Sequence, residues 1–482
     1  SSLSAFHRPA SARATACSSF NGSLSTPRTG GVRGPLPMRI KVLQRSEQDY
    51  VGRGGGITPY FRNPDPALHP FERSREYQRA LVAVKMEKIF AKPFVRALDG
   101  HLDSVKCMAV ARRAGAALVS GSCDGELRVW NLQHLSAGSV VPRAHEGFVR
   151  SLTVSPSGAQ VLSCGDDKTS KMWSLNSQDT SLGAEPQSTF HSASISNSID
   201  HHWTKPMFVT VGDTVDLWDY HRSAPLNSFE WGCERVIAGR FNPAEPCLIG
   251  STAVDRSIGL YDLRGNSAIR KVILKMRSNA LCWHPMQPHR FTVANEDCNL
   301  YTFDMRKLSA AVGRHTDHTM AVLDVRYSPS GTQFVSASYD QTVRIFADGA
   351  DRSREVYHTK RMQRVLCCDF TPDGRFVLTG SEDTNIRVWK AKADEKLGAL
   401  TDRERRSVAY REALKEKFER LPEIRRIKRH KHVPKMIKSL TDKRRVMRQA
   451  RARKEDNRRR HARPGSIPQV ALKKKVVLKE LE

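Results

Sequence analysis

The chain has 482 residues and carries 79 Lys and Arg against 50 Asp and Glu, a formal net charge of +29. No apolar run approaches the length that crosses a bilayer, so a membrane-spanning helix is excluded. Residues 1–96 hold 16 basic and 6 acidic side chains, residues 97–390 hold 32 and 31, and residues 391–482 hold 31 and 13. A neutral body between two basic flanks points to a polyanionic partner, most often nucleic acid. The ten cysteines include no Cys-x-x-Cys pair, and most sit in apolar strand-like runs. They read as reduced, buried thiols rather than a zinc site.

Residues 1–37 are rich in Ser, Ala, Arg and Gly and contain no acidic residue. Such a leader resembles an organelle transit peptide. The nucleic-acid character of the other end favours a different reading, a disordered or translated leader ahead of a start at Met38. Residues 51–70 carry repeated glycine and proline and read as an extended arm. The run Gly54-Gly55-Gly56 lacks the Gly-Lys-Ser/Thr of a phosphate-binding loop. Over residues 72–89 the loose stripe Tyr77, Leu81, Val84 and Ile89 predicts a short amphipathic helix. Residues 38–92 are therefore read as a basic N-terminal arm.

An aromatic then recurs at Trp130, Trp173, Trp218, Tyr261, Phe303, Phe346 and Trp389, in steps of 43, 45, 43, 42, 43 and 43 residues. Each follows an aspartate, in order Asp124, Asp167, Asp213, Asp255, Asp297, Asp340 and Asp383, by six residues in six cases and five in the third. A period of about 40–45 residues with this pairing marks the WD-repeat blade, a sheet of four antiparallel strands. Seven units predict an all-β, seven-bladed propeller over residues 93–390. The strand Phe94–Leu98, just before Gly100-His101, is expected to complete the last blade and close the ring, removing exposed sheet edges.

In the repeat's usual pattern a His, a Ser or Thr, the Asp and the Trp form a buried hydrogen-bonded chain, stable only where each member finds its partner. His101, Ser120, Asp124 and Trp130 fit it in the first blade, and His145, Ser163, Asp167 and Trp173 in the second. The sixth has His318, Ser336 and Asp340, with Phe346 in place of Trp. The seventh has Thr379, Asp383 and Trp389, with His358 about three residues too early for the pattern. Blades three to five keep the Asp and the aromatic and are expected to lean on apolar packing. Ser155-Pro156-Ser157-Gly158, Ser328-Pro329-Ser330-Gly331 and Thr371-Pro372-Asp373-Gly374 read as turns between first and second strands.

From Thr401 the period becomes helical. Thr401-Asp402-Arg403-Glu404 has the form of a capping box. Tyr410, Leu414, Phe418 and Leu421 then make one apolar stripe, expected to dock on protein, and Pro422 is expected to end the helix. Arg425, Arg426, Lys428, Arg429 and Lys431 form a basic cluster. Pro434 is expected to start a second helix with Met436, Ile437, Leu440 and Met447 as its sparse apolar side. It carries Lys443, Arg444, Arg445, Arg451, Arg453, Lys454, Arg458, Arg459 and Arg460 up to a stop at Pro464-Gly465. With 31 basic against 13 acidic residues in this tail, the cations cannot neutralise one another. The named lysines and arginines are therefore assigned to an RNA backbone rather than to a merely solvated helix face.

The order of basic arm, seven blades and basic helical tail resembles the suppressor-of-fibrillarin family, WD-repeat proteins of the small-subunit processome. FAKPF at 90–94, IDHHW at 199–203, NLYTFDMR at 299–306, SREVYHTKRMQ at 353–363, ALKEKF at 413–418 and the segment 451–465 carry the likeness, which covers roughly residues 38–468. The blade repeat alone is unspecific; its combination with the tail is specific. The resemblance implies a nuclear and nucleolar scaffold associated with the U-three small nucleolar RNP and with pre-ribosomal RNA. Animal members of the family also resemble substrate receptors of cullin-4-type RING ubiquitin ligases. That alternative rests on a W-D-x-R-like motif in consecutive blades, here Tyr261-Asp262-Leu263-Arg264 and Phe303-Asp304-Met305-Arg306. Arg264 and Arg306 lie 42 residues apart, one repeat, and are expected on one face, where each could offer an adaptor protein its donor fork. The bland reading of both is an exposed turn arginine.

The chain shows no G-x-S-x-G elbow, no Walker lysine and no H-E-x-x-H, so no enzyme, cofactor, small-molecule substrate or metal is expected. His201-His202 and His315/His318 read as strand-edge and turn histidines rather than ligands.

Overall fold

The computed structural model describes residues 65–112, 117–176, 179–231, 234–265, 268–463 and 466–481. The leader, the glycine run and the Pro464-Gly465 stop lie outside the described residues. The described residues from Phe71 onward form one compact unit. Helix α1 (Glu72–Ile89) is its first helix.

Within residues 93–390 short runs of β-branched and aromatic residues alternate with turns and form four-stranded antiparallel sheets, to which blade two adds the short strand Ser181–Leu182. Seven sheets result. Their innermost strands are Val105–Val110, Val149–Val154, Ser198–His201, Val236–Phe241, Ser278–Trp283, Val322–Tyr327 and Val365–Phe370. The turns between first and second strands bend where the sequence demands: Gly158, Gly331 and Gly374 have φ of 78°, 73° and 66°, a region that residues with a Cβ avoid. Second strands such as Ala117–Ser122 and Leu248–Ala253 are buried along their whole length, because neighbouring blades cover both faces. All seven repeat aromatics are at most 2 % exposed, so the conserved spacing of the repeat is a packing requirement between blades.

The ring closes as the sequence predicts. Phe94–Leu98 runs antiparallel to Ile386–Lys390, with Leu98 opposite Ile386 and Phe94 opposite Trp389. A second closure was not legible in the chain. The strand Val477–Leu481 pairs with Ala268–Leu274 and adds a fifth strand to blade four, while Val476 buries itself among Val272, Leu274 and Leu281. The tail does not simply stop after its last helix.

The tail also has one helix more than expected. Helix α2 (Asp402–Lys417) starts at the Thr401 capping box, whose two reciprocal hydrogen bonds are both present. Pro422 starts rather than merely ends structure: it is the first residue of α3 (Pro422–Arg429), where a missing N–H costs nothing. Helix α4 (Lys435–His461) follows Pro434. Leu414 of α2 and Ile424 of α3 pack on Ala80 and Val84 of α1, with Tyr77 meeting Phe418 edge to face at 6.1 Å. The buried face of α1 is thus Ala80, Ala83 and Val84, whereas Ile89 of the expected stripe is 70 % exposed. Alanine lets the helix backbones approach closely. Of the expected tail stripe the centre is buried, while Tyr410 and Leu421 remain exposed, with the Tyr410 hydroxyl accepting from Arg79 of α1 at 3.1 Å. Met436 and Met447 of α4 also face solvent, and Ile437 alone of its apolar set is buried.

Candidate docking and nucleic-acid interface

The buried polar chain forms in full in blade two. His145 Nδ1 lies 3.0 Å from Asp167, its Nε2 is 2.6 Å from Ser163 Oγ, and Trp173 Nε1 donates to the same hydroxyl at 3.0 Å. Gly165 makes room for that ring, since a Cβ there would lie 2.7 Å from His145 Nδ1. Burial alone would raise the Asp167 carboxyl, but hydrogen bonds from His145 and Thr169 hold it well below the usual range. Blade six repeats the geometry, with His318 at 2.9 Å from Asp340 and 2.7 Å from Ser336 Oγ. Phe346 ends the chain there without a donor. In blade seven Trp389 donates to Thr379 at 2.9 Å, while Asp383 pairs with Arg387 instead of a histidine. His358 stacks on His432 of the tail, with centroids 5.4 Å apart.

Blade one corrects the sequence reading. His101 Nε2 meets Ser120 Oγ at 2.7 Å and Trp130 donates to that oxygen at 2.8 Å, but Asp124 is exposed and spends its carboxylate on the Glu126 amide. Glu126 faces His101 Nδ1 instead, at 3.6 Å, and pairs with Arg128 at 2.8 Å. The turn was read by its usual aspartate position, and a carboxylate two residues later with a longer reach takes the place. His101, Asp124 and Glu126 bring their ligand atoms within 4.8 Å of one another, yet the Arg128 guanidinium already occupies Glu126. His201 and His315 are also engaged as hydrogen-bonding groups: His201 Nε2 lies 2.5 Å from the Tyr220 hydroxyl and His315 Nε2 lies 2.9 Å from Thr302 Oγ1.

Alternating strand direction puts the first-to-second and third-to-fourth turns of every blade at one end of the ring. The tetrad histidines and aspartates lie at the other. Arg264 and Arg306 occupy corresponding third-to-fourth turns of blades four and five, both exposed. The two turns share one geometry: each arginine amide donates at 3.0 Å to the aspartate two residues earlier, Asp262 or Asp304. The Arg306 guanidinium also folds back on Asp304 at 3.2 Å. Beside it a cleft of about 320 Å³ opens between the blades, lined by Ile269, Arg270, Trp283 and Met305.

The basic tail meets the ring at blades five and six. Arg444 donates to the main-chain oxygens of His318 at 2.9 Å and Asp297 at 3.2 Å, and Lys431 binds Asp317 at 3.0 Å and Ser353 Oγ at 2.8 Å. These two of the assigned RNA contacts are therefore corrected: they fasten the tail to the ring. Three others have acidic neighbours on the tail itself, Lys428 with Glu419, Arg445 with Asp442, and Arg459 with Glu455 and Asp456. Arg425, Arg426, Arg429, Lys443, Arg451, Arg453, Lys454, Arg458 and Arg460 are exposed and show no ion pair among the described residues. They leave a broad cationic surface along α3 and α4. Sequence spacing does not separate docking cations from free ones, because the partners lie more than 70 residues away in the propeller.

Similarity to known proteins agrees with both halves of this architecture. The Sof1-like domain matches residues 391–477, and the WD domain, G-beta repeat, matches residues 92–131, 139–174, 310–346 and 355–390. The four WD segments are blades one, two, six and seven, where the repeat's polar residues are best kept. The WD40 propeller domain of Doa1 superposes with a TM-score of 0.54 at 19 % identity, covering 62 % of this chain and 96 % of that one, a likeness of fold. The WD-repeat propeller is a non-catalytic scaffold architecture. The chain is 48 % identical to the DDB1- and CUL4-associated factor 13 of Xenopus laevis, over 92 % of its own length and all of the relative's. With the human protein of that name it shares 49 % over 92 % and 99 % of the two chains. Protein SOF1 of Saccharomyces cerevisiae is 39 % identical, over 92 % and 94 %. A propeller with these docking turns, carrying a matching tail and near full-length relatives of both kinds, belongs to the Sof1-type family of WD-repeat proteins.

Proposed function

We propose that this protein is a nuclear and nucleolar scaffold of the small-subunit processome, acting in pre-ribosomal RNA processing. The observation that carries this reading is the set of nine tail cations that are exposed and show no ion pair among the described residues, beside a charge-neutral ring. Such a surface gains affinity by releasing counterions from phosphates and is largely blind to base sequence. The propeller holds processome proteins, and the tail holds the RNA backbone. Crosslinking RNA to the protein in cells, with the attachment sites mapped, tests it. The expected result is adducts on pre-ribosomal or small nucleolar RNA at α3 and α4; adducts confined to messenger RNA would reject it. Neutralising Arg451, Arg453, Lys454, Arg458 and Arg460 to glutamine should also disperse the protein from nucleoli.

A second reading makes the chain a substrate receptor of a cullin-4-type ubiquitin ligase. The names of its vertebrate relatives speak for this reading more directly than for the first. The matched turn geometry of Arg264 and Arg306 supports it as well, and neither arginine is one of the tail cations. Both roles can therefore reside in one molecule. Arg264→Ala with Arg306→Ala should weaken co-purification of the ligase adaptor while leaving ribosomal RNA processing intact. Undiminished adaptor capture would reject this assignment.

A further inference from the structure

One basic concavity is shared between the tail and the propeller. A cleft of about 1500 Å³ lies between α3, the linker after it and the blade-six loop at 348–354. Its walls belong to different parts of the chain. Arg420, Arg425, Arg429 and Lys438 line it from the tail, and Arg352 from the propeller loop. All five are exposed and show no ion pair among the described residues. Four acidic groups line the same space against nine Lys and Arg: Asp317 is held by Lys431 and Ser353, Glu419 by Lys428, and Asp351 is exposed beside Arg352. Asp442 is held by Arg445. The residual field inside the cleft is positive.

The walls are fixed relative to one another. Lys431 ties the linker to Asp317 and Ser353 at 3.0 and 2.8 Å, directly beside Arg352. The ring of His432 is stacked on His358 of the propeller with planes 9° apart. Burial and the neighbouring His432 hold His358 below its ordinary pKa, so that ring remains neutral and stacked at physiological pH. The cleft is thus a preformed cradle rather than a flexible polycation. His430 lies exposed at its rim and offers a ring face.

We propose that this cleft binds a short stretch of single-stranded RNA, with phosphates between the Arg352 wall and the α3 wall and a base on His430. The proposal rests on the reading of the tail as an RNA contact and deepens it by adding a propeller residue to the site. A single strand fits the chemistry better than a duplex: a positive groove with an exposed ring beside it is how unpaired nucleotides are held, by backbone charge and stacking.

The test uses the full chain and a 12-nucleotide oligouridine, titrated from 50 to 200 mM salt, with a 12-base-pair RNA duplex as comparison. For single strands each phosphate contact contributes about 0.7 to the slope of log affinity against log salt. Arg352→Gln should lower the slope by about 0.7 and affinity at low salt several-fold, whereas Arg352→Lys should keep the slope. Arg420→Gln with Arg425→Gln and Arg429→Gln should lower it by about 2. Melting temperatures should stay at the wild-type value, since all four arginines are exposed. Three results would overturn the cleft: an unaltered slope in Arg352→Gln, tighter binding of the duplex than of the strand, or loss on neutralising α4 alone with the α3 variant unaffected. The last two would leave the broader RNA reading standing. A wild-type chain that fails to bind either RNA would remove both.

Discussion

The buried histidine of blade one works as a hydrogen-bonding group, and its titration is coupled to folding. Burial and the adjacent Arg128 guanidinium lower the His101 pKa from its ordinary 6.5 to about 4. Between those values the unfolded chain binds a proton that the native chain refuses, so stability falls as pH falls from 6.5 toward 4 and is unaffected above that window. The shift corresponds to about 3 kcal/mol. His101→Gln should shrink the loss of unfolding free energy between pH 7 and pH 4 by about that amount, as read from urea denaturation. His318 is shifted in the same direction by burial and should leave part of the pH dependence in place. Blades one and six also separate two aspartates that look equivalent in the chain. Asp340 accepts hydrogen bonds from His318, Thr319 and Thr342 and is buried, so Asp340→Ala should cost about 1–3 kcal/mol. Asp124 is exposed, and Asp124→Ala should change stability by less than about 0.5 kcal/mol in the same assay.

Among the elements, the C-terminal strand and α2 do more than their composition suggests. Val477–Leu481 covers the outer edge of blade four, and the Lys275 amide donates to Val476 at 3.0 Å. Deleting residues 471–482 should speed hydrogen exchange at Lys275 and at the strap-facing amides of Ala268–Leu274, leaving the inner strands protected. Unchanged exchange would show that the strand is not held in solution. Helix α2 is held by Leu414, packed on α1 with Ile424, Ala80 and Val84, and by the ion pairs of Lys415 with Glu87 and Lys417 with Glu76. A charge at Leu414 would be buried without a partner. Leu414→Asp should therefore free α2 and α3 from α1, seen as early tryptic cleavage within the tail, with the ring intact.

At the scale of the whole molecule, the two basic flanks that the charge profile sets apart are brought together. Helix α1 from one flank and α2 and α3 from the other form a single helical cluster, while α4 and the last strand bind the ring. The ring itself closes through Phe94–Leu98 and does not need the tail for its seven blades. A chain ending at residue 390 should thus still fold as a propeller. It should melt about 3 °C lower in calorimetry, because it loses about 2 kcal/mol of burial around Val476 alone. An unchanged melting temperature would mean that the tail contributes nothing to the ring.

The fold was legible because its signal is repeated seven times and is local. An aspartate about six residues before an aromatic, a period near 43 and Ser-Pro-x-Gly turns dictate strands, turns and blade number without reference to distant contacts. The capping box at Thr401 and the closing strand at Phe94–Leu98 are readable for the same reason. Tertiary structure decided whatever depends on a partner far along the chain. Glu126 rather than Asp124 faces His101, because side-chain reach and the turn's path choose between two nearby carboxylates. Lys431 and Arg444 are docking groups and Arg453 is not, because only the first two lie against carboxylate or carbonyl oxygens of blades five and six. Val477–Leu481 has no repeat to announce it, and its place is set by pairing with Ala268–Leu274 and by burial of Val476 beside Val272 and Leu274. Composition therefore determined that this chain is a propeller with a cationic tail, and packing at long sequence separation decided which of its charges are left for a partner.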